Sequence, residues 1–224
     1  MMGRRTNPAL SVIFMIAVVV LIITFSIGLP IYVRAFYYAH IPSIQKEFEE
    51  ELDVTVPREV IVEAYDDVLD FLTLDGHEFG TGQLEFSEEG KGHFEDCKVL
   101  FDLNKYAFIV SVGVIVLLGF LNLIKVIKLA KPCGLSLFAV AGIITLVSFA
   151  ALAFVVSKDF NTAFTVFHKI FFPGKDNWMF NPYTDPIILF MPQRFFMNCA
   201  ILICSSILII SLIFIVRGFK KRYW

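Results

Sequence analysis

The stretch PALSVIFMIAVVVLIITFSIGLPIYV, residues 8–33, contains no charged side chain and decides the class of protein. An α-helix needs about 20 apolar residues to cross the hydrocarbon core of a bilayer. The stretch is longer than the apolar region of a signal peptide, roughly 7–15 residues, and it lacks an A-x-A cleavage pattern. We therefore expect a retained membrane-spanning helix here.

Three further stretches are similarly apolar, at residues 106–127, 135–156 and 196–216, and the only charged side chain among them is Lys125 near the end of the first. The chain of 224 residues is 57% hydrophobic, which exceeds the share in ordinary soluble domains. The sequence therefore predicts an all-α membrane protein with four transmembrane helices. The remaining residues predict a small extracellular cap that is mainly α-helical, with a minor β element.

The distribution of charge predicts the orientation of these helices. Residues 1–7, 128–134 and 217–224 include basic residues, among them Arg4 and Arg5 near one end and Lys221 and Arg222 near the other, and contain no acid. Eighteen of the 21 acidic residues fall in 34–105 and three in 157–195. Lys and Arg collect in cytoplasmic segments. We therefore expect both termini and residues 128–134 in the cytoplasm, and the two acidic connections outside.

The first acidic connection, residues 34–105, contains three recognisable pieces. An apolar stripe predicts a helix after Pro57, which suits the first helical position. Gly76, Gly80 and Gly82 then predict a turn with a short strand or extended piece. Ser87 is a plausible N-cap for a helix that continues into the second span.

The second acidic connection, residues 157–195, is rich in aromatic residues. Phenylalanines follow a helical spacing up to Pro173, and an irregular piece with Trp178, Phe180 and Tyr183 comes next. Aromatic side chains settle at the headgroup level of a bilayer. We expect this connection to lie on the outer membrane surface. The phenylalanines are Phe160, Phe164, Phe167, Phe171 and Phe172.

Two of the four histidines are candidates for acid–base chemistry. His93 precedes the second span and His168 ends the aromatic helix, so both are expected at the same depth outside the membrane. Imidazoles titrate near neutral pH and serve as general acids and bases. The alternative is that each is a surface histidine bonded to a neighbour. His40 and His77 lie in more polar and less constrained settings, and we expect them to be structural.

Other chemistries have weaker support. Glu89 and Asp96 share a helix face with His93, but no paired-histidine motif accompanies them, so we expect no metal and no cofactor. The four cysteines include no C-x-x-C pair, which disfavours a disulfide framework. The acidic outer segments disfavour nucleic acid as a partner. The central parts of the spans lack Asp, Glu, Lys, Arg and His, which disfavours a transporter or channel.

Two blocks of sequence resemble the bacterial lipoprotein intramolecular transacylase family, whose members are four-span membrane enzymes. The blocks are EFGTGQLEFSEEGKGHFEDCKVLF, residues 78–101, and FHKIFFPGKDNWMFNPYTDPIILFMPQRFF, residues 167–196. The resemblance implies an acyltransferase in the bacterial cell membrane with its active site at the extracellular face. It implies transfer of the sn-2 acyl chain of a diacylated lipoprotein to the lipoprotein's own N-terminal amine, which gives a lyso-form product.

The resemblance also implies which residues act. His93 and His168 match the family's catalytic pair, and which of them is the base stays open. Beside this pair, the chemistry of the reaction suggests that Asp185 orients an imidazole, with a simple turn in TDPI as the alternative, and that Asn181 donates to the oxyanion. The substrate pocket is expected to be lined by aromatic side chains, for which anchoring at the membrane interface is the alternative. They are Phe94, Phe171, Phe172, Trp178, Phe180 and Tyr183.

Two residues depart from the family pattern. Asn161 and Gln193 stand where the family commonly has acids, which puts the activity of this chain in doubt if those acids tune a histidine.

The expected partners are the lipoprotein substrate and membrane lipid, with the enzyme acting as a monomer. The alternative is a non-catalytic sensor or chaperone that binds apolar or lipidated segments at the outer face. Replacing both histidines would abolish acyl migration only if the chain is the enzyme.

Overall fold

The computed structural model describes residues 6–156 and 158–220. Over these residues the chain is helical and contains no strand. Arg4, Arg5, Lys221 and Arg222, on which part of the predicted orientation rests, lie outside the described residues. The helices are α1 (Pro8–Tyr32), α2 (Arg34–Tyr38), α3 (Ile41–Leu52), α4 (Arg58–Thr73), α5 (Glu88–Leu123), α6 (Leu137–Val156), α7 (Phe160–Phe171), α8 (Ile187–Phe190) and α9 (Gln193–Lys220), with a 3₁₀ turn at Pro132–Gly134.

Four helices, α1, α5, α6 and α9, are long and apolar enough to cross a membrane. This confirms the predicted fold class of a four-span, all-α membrane protein. The helix predicted after Ser87 and the second span form one continuous helix of 36 residues, α5. Its charged first half precedes the apolar residues expected to enter the bilayer.

The chain divides into two compact units. The first unit comprises the described residues within 1–29, 104–158 and 202–224. Its core contains side chains from all four long helices: Phe14, Val18, Ile22, Leu118, Leu137, Ala141 and Ile207. Small residues let α6 and α9 approach closely, since a Cβ at Gly142 would lie 2.9 Å from the Ser211 carbonyl oxygen.

The second unit comprises residues 30–103 and 159–201 and contains every histidine. Tyr37 is fully buried, stacks on Tyr65 at 3.5 Å between ring centroids, and donates its hydroxyl to the Phe190 carbonyl at 2.7 Å. Arg34 adds ion pairs to Asp66, at 3.0 Å, and to Asp70. These contacts tie α2 and α4 to the segment that precedes α9.

The predicted minor β element is wrong for the part of the chain that the structure describes. Residues 74–87 are irregular, with turns at 75–76 and 82–83 and positive φ at Gly76 and Gly82. The Gly82 N–H donates to the Asp67 carboxylate at 2.9 Å, and Phe79 packs against Phe71 on α4. The glycines therefore bend this segment onto α4 instead of extending it.

Candidate active site

The helix that carries His93 is fixed at its N-terminus by a buried carboxylate. Ser87 is the N-cap residue of α5, and its Oγ accepts the Gly90 N–H at 2.9 Å. Asp185, only 3% exposed, accepts the Ser87 N–H at 2.8 Å and the Ser87 hydroxyl. A capping side chain satisfies N–H groups that the helix itself leaves unpaired. The predicted N-cap is therefore confirmed, and it is reinforced from a distant segment.

The hydrogen-bond partners of Asp185 differ from the imidazole that was expected. Its carboxylate bonds to Ser87 and to the Thr184 hydroxyl, at 2.7 Å, and not to an imidazole. Asp185 approaches the helix because Gly90 has no side chain, and a Cβ there would overlap the carboxylate. Asp185 is therefore linked to the helix that carries His93 through Ser87 at the helix start.

His168 lies on the buried face of α7, one helical turn after Phe164. Asp159 caps this helix by accepting the Thr162 N–H at 3.1 Å. The His168 Nδ1–H donates to the Phe164 carbonyl, one turn earlier, at 2.7 Å. A carbonyl can only accept, so this bond places the proton on Nδ1 and leaves the lone pair on Nε2.

The two imidazoles lie close together in an aromatic enclosure. Their ring centroids are 5.8 Å apart, and the side chains are 5% (His93) and 7% (His168) exposed. Phe172 contacts both rings, at 5.0 Å from His93 and 5.8 Å from His168. Trp178 stacks on His168 at 4.5 Å, and Phe180 contacts His93 at 5.5 Å.

The enclosure keeps both imidazoles neutral. Burial is the main cause that lowers the pKa of His93 to about 4. A proton on His168 would lower the pKa of His93 further, the positive charge of Lys175 acts in the same direction, and the Asp96 carboxylate acts against them. Burial also lowers the pKa of His168, while its bond to Phe164 opposes the change. A neutral imidazole is the form that accepts a proton, so both rings are in the state that base catalysis needs.

We expect His93 to titrate at about pH 4 in the folded protein, well below its ordinary pKa of 6.5. Between these values the unfolded chain binds a proton that the folded chain does not. Stability from this group is therefore present above about pH 6.5 and is lost as the pH falls towards 4. Imidazole ¹⁵N NMR of protein in detergent micelles would measure the titration, and a midpoint for His93 at or above 6.5 would contradict the burial.

Two residues of this site were not predicted from the sequence. The Cys97 Sγ lies 3.4 Å from His93 Nε2, one helical turn along α5. The Asn177 Oδ1 is buried and has no hydrogen-bond partner in the described chain. The i, i+4 spacing of His93 and Cys97 was a usable signal in the sequence. No sequence pattern pointed to Asn177.

The expected substrate-pocket residues divide into two groups. Phe172, Trp178 and Phe180 contact an imidazole, and Phe94 is buried at 5.5 Å from Phe180. Phe171 and Tyr183 are 48% and 93% exposed and make no ring contact with either histidine. The structure therefore does not bring these two together with the pair.

Asn181 is exposed and is part of its own turn. Its Oδ1 accepts the Tyr183 N–H at 3.0 Å, and its carbonyl accepts N–H groups from Thr184 and Asp185. It lines a cavity of about 400 Å³ that neither imidazole lines. Phe180 lines this cavity and also contacts His93. The full lining is Ser87, Glu89, Gly90, Asp176, Asn177, Met179, Phe180, Asn181, Thr184 and Asp185.

The other two histidines lie apart from the pair. His40 is more constrained than expected: its Nδ1 bonds to the Phe36 carbonyl at 2.7 Å and its Nε2 to the Asn198 amide at 2.9 Å. Both ring nitrogens are therefore occupied by structural contacts. His77 is exposed, as expected.

The two residues that depart from the expected pattern bond to each other. Gln193 Nε2 donates to Asn161 Oδ1 at 2.5 Å, so the N-terminal ends of α9 and α7 are joined by a neutral pair. Neither side chain bonds to an imidazole. Asp96, weighed above as a metal ligand, instead binds Lys175 Nζ at 2.6 Å.

Comparisons with known proteins agree with this architecture. The family model described as lipoprotein intramolecular transacylase Lit matches residues 12–196. The in meso structure of the membrane integral lipoprotein intramolecular transacylase Lit from Bacillus cereus matches with a TM-score of 0.79 and 23% identity. That match covers 96% of this chain and 94% of the other. No curated protein sequence matches this chain.

Two further structures of the Bacillus cereus protein each carry a substituted histidine. The variant with arginine matches with a TM-score of 0.73, and the variant with alanine with 0.72, both at 23% identity. Each match covers 96% of this chain, and 92% and 94% of the respective variant. At this identity the structural likeness establishes the fold.

Proposed function

Because this chain belongs to the lipoprotein intramolecular transacylase (Lit) family, it is a multi-pass membrane acyltransferase, and we propose that it forms lyso-form lipoprotein. In this reaction the sn-2 acyl chain of an S-diacylglyceryl-cysteine moves to the α-amino group of the same cysteine. The observation that carries the proposal is the pair of buried neutral imidazoles, 5.8 Å apart, in an aromatic enclosure.

The reaction passes through an eight-membered ring of N, Cα, Cβ, S, two glyceryl carbons, the ester oxygen and the carbonyl carbon. A flexible chain closes such a ring rarely, so holding the amine against the ester accelerates the reaction. Well-oriented intramolecular reactions gain about 7–11 kcal/mol in this way. The rings of Phe172, Trp178 and Phe180 offer an apolar surface for the glyceryl thioether and exclude the water that would hydrolyse the ester.

His168 is the general base in this proposal. The neutral amine attacks the ester carbonyl, an N–C bond forms, and the amine proton passes to His168 Nε2. The tetrahedral intermediate then collapses, the C–O bond to the glyceryl oxygen breaks, and His168 returns the proton to that oxygen. The support for this role is the bond from Nδ1–H to the Phe164 carbonyl, which leaves the lone pair on Nε2.

The cavity beside Phe180 suits the cationic amino terminus of the substrate before it loses its proton. Glu89 and Asp176 line the cavity, and their negative charges attract an ammonium group. The buried Asn177 Oδ1 offers an acceptor that has no partner within the described protein. We place the polar peptide of the lipoprotein on this side of the imidazoles.

The site belongs at the extracellular membrane face in this proposal, with both termini in the cytoplasm and a monomer as the working unit. The charge segregation supports the orientation. The outer face of α7 supports the membrane placement, because Phe167, Ile170 and Phe171 are 46%, 66% and 48% exposed on one side of the helix. An apolar helix face of this kind is stabilised in the interfacial region of a bilayer.

The experiment that tests the function is expression of this chain in a bacterium that makes diacylated lipoproteins and lacks N-acylation. Acyl migration conserves total mass, so the N-terminal lipopeptides must be identified by their fragment ions. We expect fragments with an acyl group on nitrogen and a monoacylglyceryl group on sulfur. Lipopeptides that keep both acyl groups on the glyceryl unit, despite membrane expression of the protein, would contradict the proposal.

A further inference from the structure

Cys97 has no part in the chemistry described so far, although it lies against a catalytic imidazole. Its Sγ is 3.4 Å from His93 Nε2, and both residues lie on the same face of α5. The thiol is free and partly buried. On the other side of the same ring, Nδ1 is buried with no hydrogen-bond partner in the described chain. The two nitrogens of His93 therefore have different surroundings.

The direction of the Cys97–His93 bond follows from the chemistry of the two groups. Burial, helped by the Asp96 carboxylate, raises the pKa of the Cys97 thiol to about 12, so sulfur keeps its proton. His93 is neutral at physiological pH and has one N–H. An imidazole nitrogen is a stronger acceptor than a thiol sulfur, which accepts only weakly. The S–H therefore donates to Nε2, and the single ring proton is on Nδ1.

We propose that Cys97 is a positioning residue that holds His93 in the tautomer with its proton on Nδ1, so that His93 donates to the oxyanion of the tetrahedral intermediate. The inference rests on the proposed transacylase function and assigns the two histidines different tasks. A buried N–H without an acceptor is unfavourable, and the ester oxygen becomes a strong acceptor only as negative charge develops on it. His168 then moves the proton and His93 stabilises the charge.

The charged and titratable groups that face His93 come from three elements. Asp96 lies beside Cys97 on α5, Lys175 approaches from the turn after α7, and His168 lies across the enclosure. Asp96 and Lys175 form an ion pair at 2.6 Å, so their opposite charges largely cancel at the ring. The Cys97 thiol is the group that bonds to His93 Nε2. Cys97 therefore decides which ring nitrogen of His93 carries the proton.

The test compares Cys97→Ala, Cys97→Ser and the control Cys199→Ala in the full-length protein. Cys199 is also a free, partly buried helical cysteine, and it makes no hydrogen bond to an imidazole. We expect Cys97→Ala to lower kcat roughly 10-fold with KM unchanged, a smaller loss than the roughly 10²–10³-fold that follows deletion of an oxyanion donor. Cys97→Ser keeps a donor one turn from His93 and should stay within about threefold of the native kcat.

A purely structural role for the thiol would not change the tautomer, so the deciding readout is imidazole ¹⁵N NMR. We expect Nδ1 of His93 to be protonated in the native protein and in Cys97→Ser, and mixed tautomers in Cys97→Ala. The titration midpoint of His93 in the same ¹⁵N spectra should move to higher pH in Cys97→Ala, because the hydrogen bond from the thiol to Nε2 favours the neutral ring. A native His93 protonated on Nε2, or a Cys97→Ala variant with native kcat and tautomer, would overturn the inference. The NMR result does not require activity, so it separates this failure from failure of the proposed function.

Discussion

Replacing His168 by alanine is expected to lower the rate of acyl transfer by roughly 10²–10⁴-fold, the range that a positioned general base contributes. The variant loses the only proton acceptor that our mechanism assigns to the attacking amine. The lost Nδ1–H bond to the Phe164 carbonyl lies at the last turn of α7, so the helix should persist. Initial rates would be measured with purified protein in proteoliposomes, with a synthetic S-diacylglyceryl-cysteine peptide as substrate.

The control for this variant is His77→Ala, because His77 is exposed. We expect His77→Ala to keep the native rate and the native thermal stability. His40 is a poorer control, since both of its ring nitrogens make structural hydrogen bonds. A His168→Ala variant within threefold of the native rate would remove the general base from the account.

Replacing Gly90 by alanine is expected to destabilise the protein by about 1–3 kcal/mol, the usual cost of overpacking. In an open helix the same change would stabilise by roughly 0.5–1 kcal/mol. Here the new Cβ would overlap the Asp185 carboxylate and lie 3.0 Å from the Phe180 ring. Asp185 cannot move away without breaking its bonds to Ser87, so the cap of α5 would loosen and the His93 ring would shift. Thermal unfolding in detergent and the transfer rate should both fall.

Gly92→Ala is the matched control, two residues along the same helix. The nearest atom to a Cβ at Gly92 is the Asn177 Nδ2, at 3.8 Å, which is an ordinary contact. We expect this variant to melt at the native temperature or slightly above it. The account of the α5 cap fails if Gly90→Ala and Gly92→Ala have equal melting temperatures and equal transfer rates.

Hydropathy and helical periodicity predicted the spans because the bilayer imposes a strict requirement on length and polarity. The aromatic helix was predictable for a similar reason, since Phe164, His168 and Phe172 recur at i, i+4. Sequence alone did not show that these residues face the site while Phe167 and Phe171 face outward, because both sets recur with the same helical spacing. The family match supplied what periodicity cannot, namely the choice between an acyltransferase and a non-catalytic sensor.

The contacts that complete the site join distant parts of the chain and leave no local pattern. Asp185 bonds to Ser87 across 98 residues, and His40 to Asn198 across 158. Such pairs follow from how the second unit packs. The sequence therefore suggested an imidazole partner or a turn for Asp185, and a loose setting for His40. The Cys97 contact is the exception, since its i, i+4 spacing from His93 was visible.

The most direct test of the two-histidine mechanism uses the synthetic diacylglyceryl lipopeptide with a deuterated sn-2 chain. The native protein and the His93→Ala, His168→Ala double variant would be reconstituted at equal amounts, and the products identified by fragment ions. We predict deuterated acyl on the α-nitrogen with the native protein and none above background with the double variant. Native-rate transfer by the double variant, or release of deuterated fatty acid instead of N-acylation by the native protein, would contradict it.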